Sequence, residues 1–418
     1  MAGDRDLHFE VVFDLARKKR TQVSELNEYI LSAVEAEIIE AYEGGRTNSS
    51  ESFIVHMEKP ENILTSQIVD GRVFFEENPA HKWSAFPMAM DEMGNVWSLP
   101  IAHTLIWGMT GSGKSSPLQS AIIQAIPYVE AGEALLFGSD LKETELLPWD
   151  YSTLFEDIAF TADDSMELIS MLYEKLLERN KMKRAWLNFG GDGQKADLQR
   201  RLPATKQTPM MIFVIDELLS LLLELFQRGA EGKAAMATLA KIMALGRAVG
   251  FYVIAATQNV KQEFLGAMRD NFVNVVVLRN AATPNMNDMM LGEGSIERGF
   301  DPRKIEESTE ANNYKTSGIG YVKGETGDPN LVRFAYSDDD YVSSFVLAHP
   351  DEQKMATLQS GQLEQMLAAE VNEGDDINEK LDQLSPIERN DFLEALEVFN
   401  LSDREDDGNF TLEELNNQ

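Results

Sequence analysis

The 418-residue chain has no cysteine, which excludes a disulfide framework and any thiolate zinc site and favours an intracellular setting. Histidine is almost as scarce. His8, His56, His81, His103 and His349 are scattered without ligand spacing, so no structural metal is expected. Long apolar runs are missing too: the most apolar stretch, residues 210–226, is broken by Asp216, Glu217 and Glu224. With no apolar segment of signal-peptide type at the N-terminus either, the chain reads as soluble and cytoplasmic, without membrane insertion. Basic residues are outnumbered 37 to 70, giving a formal net charge of −33. Bulk attraction cannot hold a polyanion on such a surface, so any nucleic-acid contact must be local.

What is present suffices for a folded core: 43% of the residues are hydrophobic, and the length predicts two or three domains. Residues 1–85 read as a small accessory domain. It opens with a strand or helix entry at 7–13 and a basic cluster at 17–20. An amphipathic helix follows from Val23, with Leu26, Ile30, Val34 and Ile38 on one stripe and a stop at Gly44-Gly45. Strand-like pieces are expected at 52–56 and 71–75. From 86 to 348 short apolar runs alternate with helical stretches, the pattern of an α/β fold with a parallel sheet and crossover helices. A hairpin turned at Gly94-Asn95 leads into core strands expected at 104–107, 133–137, 211–215, 252–256 and 274–278. Residues 349–418 read as an acidic, helical tail; from 351 onward 19 acidic residues face 4 basic ones.

The chemistry concentrates in the middle. Gly108-Met109-Thr110-Gly111-Ser112-Gly113-Lys114-Ser115 fits the phosphate-loop pattern G-x-x-x-x-G-K-[ST] in full, between an apolar strand and a helical run. The glycines let backbone N–H groups and a helix N-terminus face phosphate oxygens, Lys114 reaches the β- and γ-phosphates, and Ser115 offers its hydroxyl to Mg²⁺. Residues Gly108 to Ser116 are thus the expected ATP-binding set. Hydrolysis needs carboxylates at the end of a second strand, and residues 211–217 supply Asp216 for the metal shell and Glu217 as general base. Gln258, ending another strand, either senses the γ-phosphate or simply turns the chain.

These motifs, in this order, resemble the FtsK/SpoIIIE family of double-stranded-DNA translocases within the HerA/FtsK ring ATPases. The look is closest to short FtsK-like proteins of actinobacterial plasmids and phages. The resemblance covers about residues 86–345 and includes Gly138-Ser139-Asp140-Leu141-Lys142-Glu143-Thr144-Glu145-Leu146, similar to the family's Asp-Pro-Lys segment. It also includes Gly246-Arg247-Ala248-Val249-Gly250, Met290-Leu291-Gly292-Glu293-Gly294 and Gly318-Ile319-Gly320-Tyr321-Val322. It implies a RecA-like P-loop NTPase core, a hexameric ring threaded by duplex DNA, and an arginine acting in trans on the transferring phosphoryl group. Arg247, Arg269 and Arg279 are the candidates, which spacing does not separate, and Arg279 is carried forward as the site residue.

The densest basic window runs from Lys175 to Lys206 and includes Lys195, Arg200 and Arg201. Within it Arg179, Lys181, Lys183 and Arg184 are expected to track the DNA backbone, the alternative being a solvated basic helix face. In the tail, residues 403–414 run from Asp403 to Glu414 with Gly408 at the sixth position, the spacing of a calcium-binding EF-hand loop. The other reading is an acidic segment that docks a protein partner. The leading expectation is a DNA-stimulated ATPase pumping duplex DNA in phage or mobile-element transfer or packaging. An ATPase energising protein secretion, or a nucleotide-dependent scaffold, are the alternatives.

Overall fold

The computed structural model describes residues 6–14, 37–46, 50–58, 63–66, 68–83, 85–187, 202–260, 266–324 and 327–358. Most of the helix expected from Val23 lies outside these residues. So do the basic positions Lys195, Arg200 and Arg201 and the calcium-type loop at 403–414.

Three N-terminal strands, β1 (Asp6–Asp14), β2 (Glu37–Arg46) and β3 (Ser50–Glu58), pair antiparallel in the order β1-β3-β2. Ile38 and Gly44-Gly45, expected at the end of a helix, belong to β2. The glycine pair falls at a register shift between Glu43 and Arg46, a bulge rather than a helix stop. Residues 71–75, expected as a strand, begin helix α1 (Gly71–Glu77). Asp70 caps it by accepting from the Arg72 N–H at 2.9 Å, and the adjacent Phe74 and Phe75 are both buried, a pattern no half-exposed strand supplies.

The remaining strands are β4 (Phe86–Asp91), β5 (Val96–Leu99), β6 (Thr104–Trp107), β7 (Ala134–Ser139), β8 (Phe155–Ala159), β9 (Met210–Ile215), β10 (Phe251–Thr257), β11 (Asn274–Leu278), β12 (Ile319–Lys323) and β13 (Asn330–Phe334). They form one ten-stranded sheet in the order β5-β4-β13-β12-β11-β6-β10-β9-β7-β8. From β11 to β8 the pairing is parallel; β12, β13, β4 and β5 extend it antiparallel. All five expected core strands and the hairpin are present. Edge strand β8 was not expected, because Glu156 and Asp157 interrupt its apolar run.

Central strands are apolar throughout because helices cover both faces. Successive side chains alternate sides. Met211, Phe213 and Ile215 join Leu105, Trp107, Val253 and Ala255 in one core, while Ile212 and Val214 join Ile106, Ile254 and Ala256 in the other. Helix α2 (Ser115–Glu130) covers the second core. Helices α3 (Ala162–Leu187), α4 (Leu218–Gln227) and α5 (Gly229–Gly246) cover the first. Val69, Phe74, Phe75 and Ala80, N-terminal to residue 86, pack in the same core as α2. Among the described residues no helix is long and apolar enough to cross a membrane.

This packing corrects one expected DNA contact. Arg179 on α3 is only 7% exposed, and its guanidinium donates to the carbonyls of Val249 at 2.8 Å and Pro209. Burial lowers its pKa from 12.5 to about 10. The side chain ties α3 to the start of β9 and β10 and is not available to a phosphate. Lys181 and Arg184 are exposed and Lys183 half-buried one turn further along the helix. Replacing Arg179 by Ala strands these carbonyls and is expected to cost about 2–4 kcal/mol in denaturant unfolding; a cost under about 0.5 kcal/mol would contradict this role.

Candidate functional site

The strand order brings three chain ends together. β6 leads into the phosphate loop, β9 ends at Asp216-Glu217, and β10, which lies between them, ends at Thr257-Gln258. All three are parallel, so their C-terminal ends share one edge of the sheet, where α/β sheets place their ligands.

The phosphate loop is held by its backbone. The Gly108 N–H donates to the Thr257 carbonyl at 3.2 Å and the Met109 N–H to the Arg279 carbonyl at 3.1 Å. Ser112, itself buried, accepts from the Gly318 N–H at 3.0 Å and turns its hydroxyl to the Met109 carbonyl at 2.7 Å. Gly113 adopts φ +85°, and a Cβ there would run into Ser317 and Gly318. Gly111, at φ +77°, faces open space. Lys114 precedes α2 without a side-chain cap, leaving the helix N-terminus to the cradle, and Ser116 is buried in its first turn. Burial lowers the Lys114 pKa, opposed by attraction from Glu217 and Asp216.

The acid pair sits beside this loop, each residue 8% exposed. Glu217 does not cap α4; its carboxylate turns to the end of β10. It accepts from Thr257 Oγ1 at 2.7 Å and from the Gln258 N–H at 3.0 Å, and pairs with Lys142 at 3.6 Å. Gln258 continues the connection, its Oε1 accepting from Thr110 Oγ1 at 3.1 Å. A hydrogen-bonded path therefore runs from the phosphate loop through Gln258 to Glu217. Burial first, then repulsion from Asp140, Glu145 and Glu217, raises the Asp216 pKa from 3.8 to about 7.

Three residues given no role from sequence complete the surroundings. Asp140, fully buried, accepts from the N–H groups of Lys142, Thr144 and Leu146. It thereby folds the segment after β7 into a compact turn. That turn presents Lys142 to Glu217 and Glu145 to the Ser115 hydroxyl. The available signal was four charged residues, Asp140, Lys142, Glu143 and Glu145, directly after a buried strand.

The donor set suits magnesium. The Ser115 hydroxyl and the Asp216 carboxylate offer hard oxygen donors in a field of excess carboxylate. Among the described residues no group of three or more His, Cys, Asp or Glu forms a closed cage. A cation taking its other ligands from phosphate and water fits that arrangement.

The arginine candidates differ in setting. Arg279 lies against its own phosphate loop, 2.8 Å from Met109 Sδ, and also reaches the Ile305 carbonyl at 3.1 Å and Glu307 at 3.4 Å. Arg269 pairs with Asp270 at 2.8 Å, and Arg247 is half-buried after α5.

The raised Asp216 pKa has a consequence for stability. The folded chain keeps a proton that the unfolded chain releases from pH 3.8 upward, so stability falls as pH rises toward about 7, above which the cost is complete. Without metal or nucleotide, Asp216→Asn is expected to be more stable than wild type at about pH 8, by up to about 4 kcal/mol. The gap should close toward about pH 4 in denaturant titrations; a pH-independent gap would contradict the assignment.

Residues 78–262 match the family model described as FtsK/SpoIIIE family. The DNA translocase FtsK of Treponema pallidum (strain Nichols) is 26% identical over 157 residues, 37% of this chain and 19% of that protein. DNA translocase FtsK 1 of Neisseria meningitidis serogroup A is 22% identical over 383 residues, 84% of this chain and 43% of that protein. The chain thus spans less than half the length of these curated relatives. Among solved structures, the pCW3 conjugation coupling protein TcpA, in its monomer form with ATPgS, is 16% identical with a TM-score of 0.50, covering 82% of this chain and 89% of that one. It shares the fold. The chain thus carries a segment, residues 78–262, that matches the FtsK/SpoIIIE family model, and that span holds the phosphate loop, the acid pair and Gln258.

Proposed function

We propose that the chain is an ATP hydrolase that moves along double-stranded DNA as a homo-oligomeric ring, with six subunits as the expected number. The observation that carries this reading is the path from Thr110 through Gln258 to Glu217, which couples the phosphate loop to the general base. Lys114 and the loop N–H groups bind the β- and γ-phosphates. Ser115 and Asp216 hold magnesium, which neutralises phosphate charge when bound. Glu217 takes the proton of the attacking water, and to do so it must give up part of its present hold on Thr257, Gln258 and Lys142. Gln258, attached to both, reports whether the loop is filled. Arg279 is proposed as the arginine that acts on the transferring phosphoryl group, and its position beside Met109 of its own loop supports a role in cis. A trans-acting role would require it to leave Glu307 and the Ile305 carbonyl.

Duplex DNA as the track is supported by the curated relatives, both DNA translocases by name. In a chain of net charge −33 contacts must come from a few cations, and Lys181, Lys183 and Arg184 beyond the buried Arg179 are the ones proposed.

Steady-state ATP hydrolysis tests the catalytic part. Lys114→Ala is expected to abolish nucleotide binding, and Glu217→Gln to keep binding while turnover drops by about 10²–10⁴. Linear duplex DNA should raise the wild-type rate, and the increase should fade as salt rises. A rate indifferent to DNA would remove the translocase reading and leave the ATPase.

The DNA contacts have a separate readout. Replacing Lys181, Lys183 and Arg184 together by Ala should lower the log–log salt slope of duplex binding by about 3 while leaving DNA-free hydrolysis unchanged. An unaltered slope would place the DNA elsewhere.

A further inference from the structure

Ser115 is the phosphate-loop hydroxyl expected to meet the metal, and its proton has to go somewhere when an oxygen lone pair turns to a cation. In this chain it does not go to Asp216. Ser115 Oγ donates to Glu145 Oε1. We propose that Glu145 is a positioning residue for the metal site: by accepting the hydrogen bond of the Ser115 hydroxyl it fixes the hydroxyl rotamer, aims the free lone pair into the cradle and makes the oxygen a better ligand. This inference rests on the ATPase reading above and extends it to a residue outside the phosphate loop and the acid pair.

Glu145 is held on both sides for such a task. Asp140 Oδ2 accepts from the N–H groups of its neighbours, Thr144 at 2.8 Å and Leu146 at 3.0 Å. The Glu145 carbonyl accepts from Gln119 Nε2 at 3.1 Å, and Gln119 Oε1 in turn accepts from the buried Trp149 indole at 2.9 Å. Gln119 lies one turn along α2 from Ser115. The helix that carries the hydroxyl thus also anchors the backbone of the acid that orients it. The preceding residue pair adds to the rigidity, since Glu143 stands at φ +53°, a conformation a non-glycine residue keeps only when its surroundings impose it.

The test is binding of a fluorescent adenosine triphosphate as Mg²⁺ is titrated, with a parallel series in chelator. Glu145→Ala is expected to weaken the Mg²⁺ midpoint by about 10–100-fold without weakening binding in chelator. Glu145→Gln keeps an acceptor oxygen but not the charge, so it should lose several-fold less than Glu145→Ala. In a Ser115→Ala background, Glu145→Ala should cost nothing further. A wild-type Mg²⁺ midpoint retained by Glu145→Ala would overturn the inference. So would an equal loss in chelator, or additive losses with Ser115→Ala; in each case the ATPase reading stands. A wild-type chain that binds no triphosphate at any Mg²⁺ concentration would overturn both.

Discussion

Everything at the site depends on how the phosphate loop is fastened. Backbone hydrogen bonds from Gly108 to the end of β10, from Met109 to Arg279 after β11, and from Gly318 to Ser112 pin the loop from three directions. Because the fastening uses main-chain groups, it asks only for small residues where chains approach, at Gly108 and Gly113, and does not draw on the side chains of Thr110, Lys114 and Ser115. A loop held this way is organised before any phosphate arrives, so binding energy is not spent on ordering it.

The same edge of the sheet concentrates charge. Asp140, Glu145, Asp216 and Glu217 lie around Lys114 and Lys142, and burial strengthens each interaction. Glu217 is satisfied by three partners on two other segments, whereas Asp216 has its pKa raised by burial first and then by the like charges of Asp140, Glu145 and Glu217. That imbalance is what a divalent cation relieves. Strand order makes the arrangement possible: β10 between β6 and β9 puts Gln258 within reach of both the loop and Glu217.

Much of this was legible in the residues. Fully apolar strands such as 211–215 and 274–278 announce a sheet buried on both faces, and the phosphate loop and Asp216-Glu217 are local patterns that need no tertiary information. What local pattern does not carry is which side chains meet across the fold. Arg179 sits in a basic window, yet its position on α3 aims it at the carbonyls before β9 and β10. Glu145 is thirty residues from Ser115 and meets it only because Asp140 curls the intervening turn. Residues 71–75 have strand-like composition through Phe74-Phe75, and the Asp70 cap is the feature that makes them a helix. Gly44-Gly45 reads as a helix stop or a bulge, and only pairing with β3 decides between them.

In the proposed reaction Glu217 is the base, and a triphosphate on the phosphate loop draws it away from β10. A structure of the Glu217→Gln chain bound to ATP and Mg²⁺ tests this most directly. The account predicts the γ-phosphate beside Lys114, with the residue-217 side chain released from the Gln258 N–H and facing the space where water attacks. A triphosphate bound away from residues 108–116, or a residue-217 side chain still bonded to Thr257 and Gln258 with another acid facing the γ-phosphate, would contradict it.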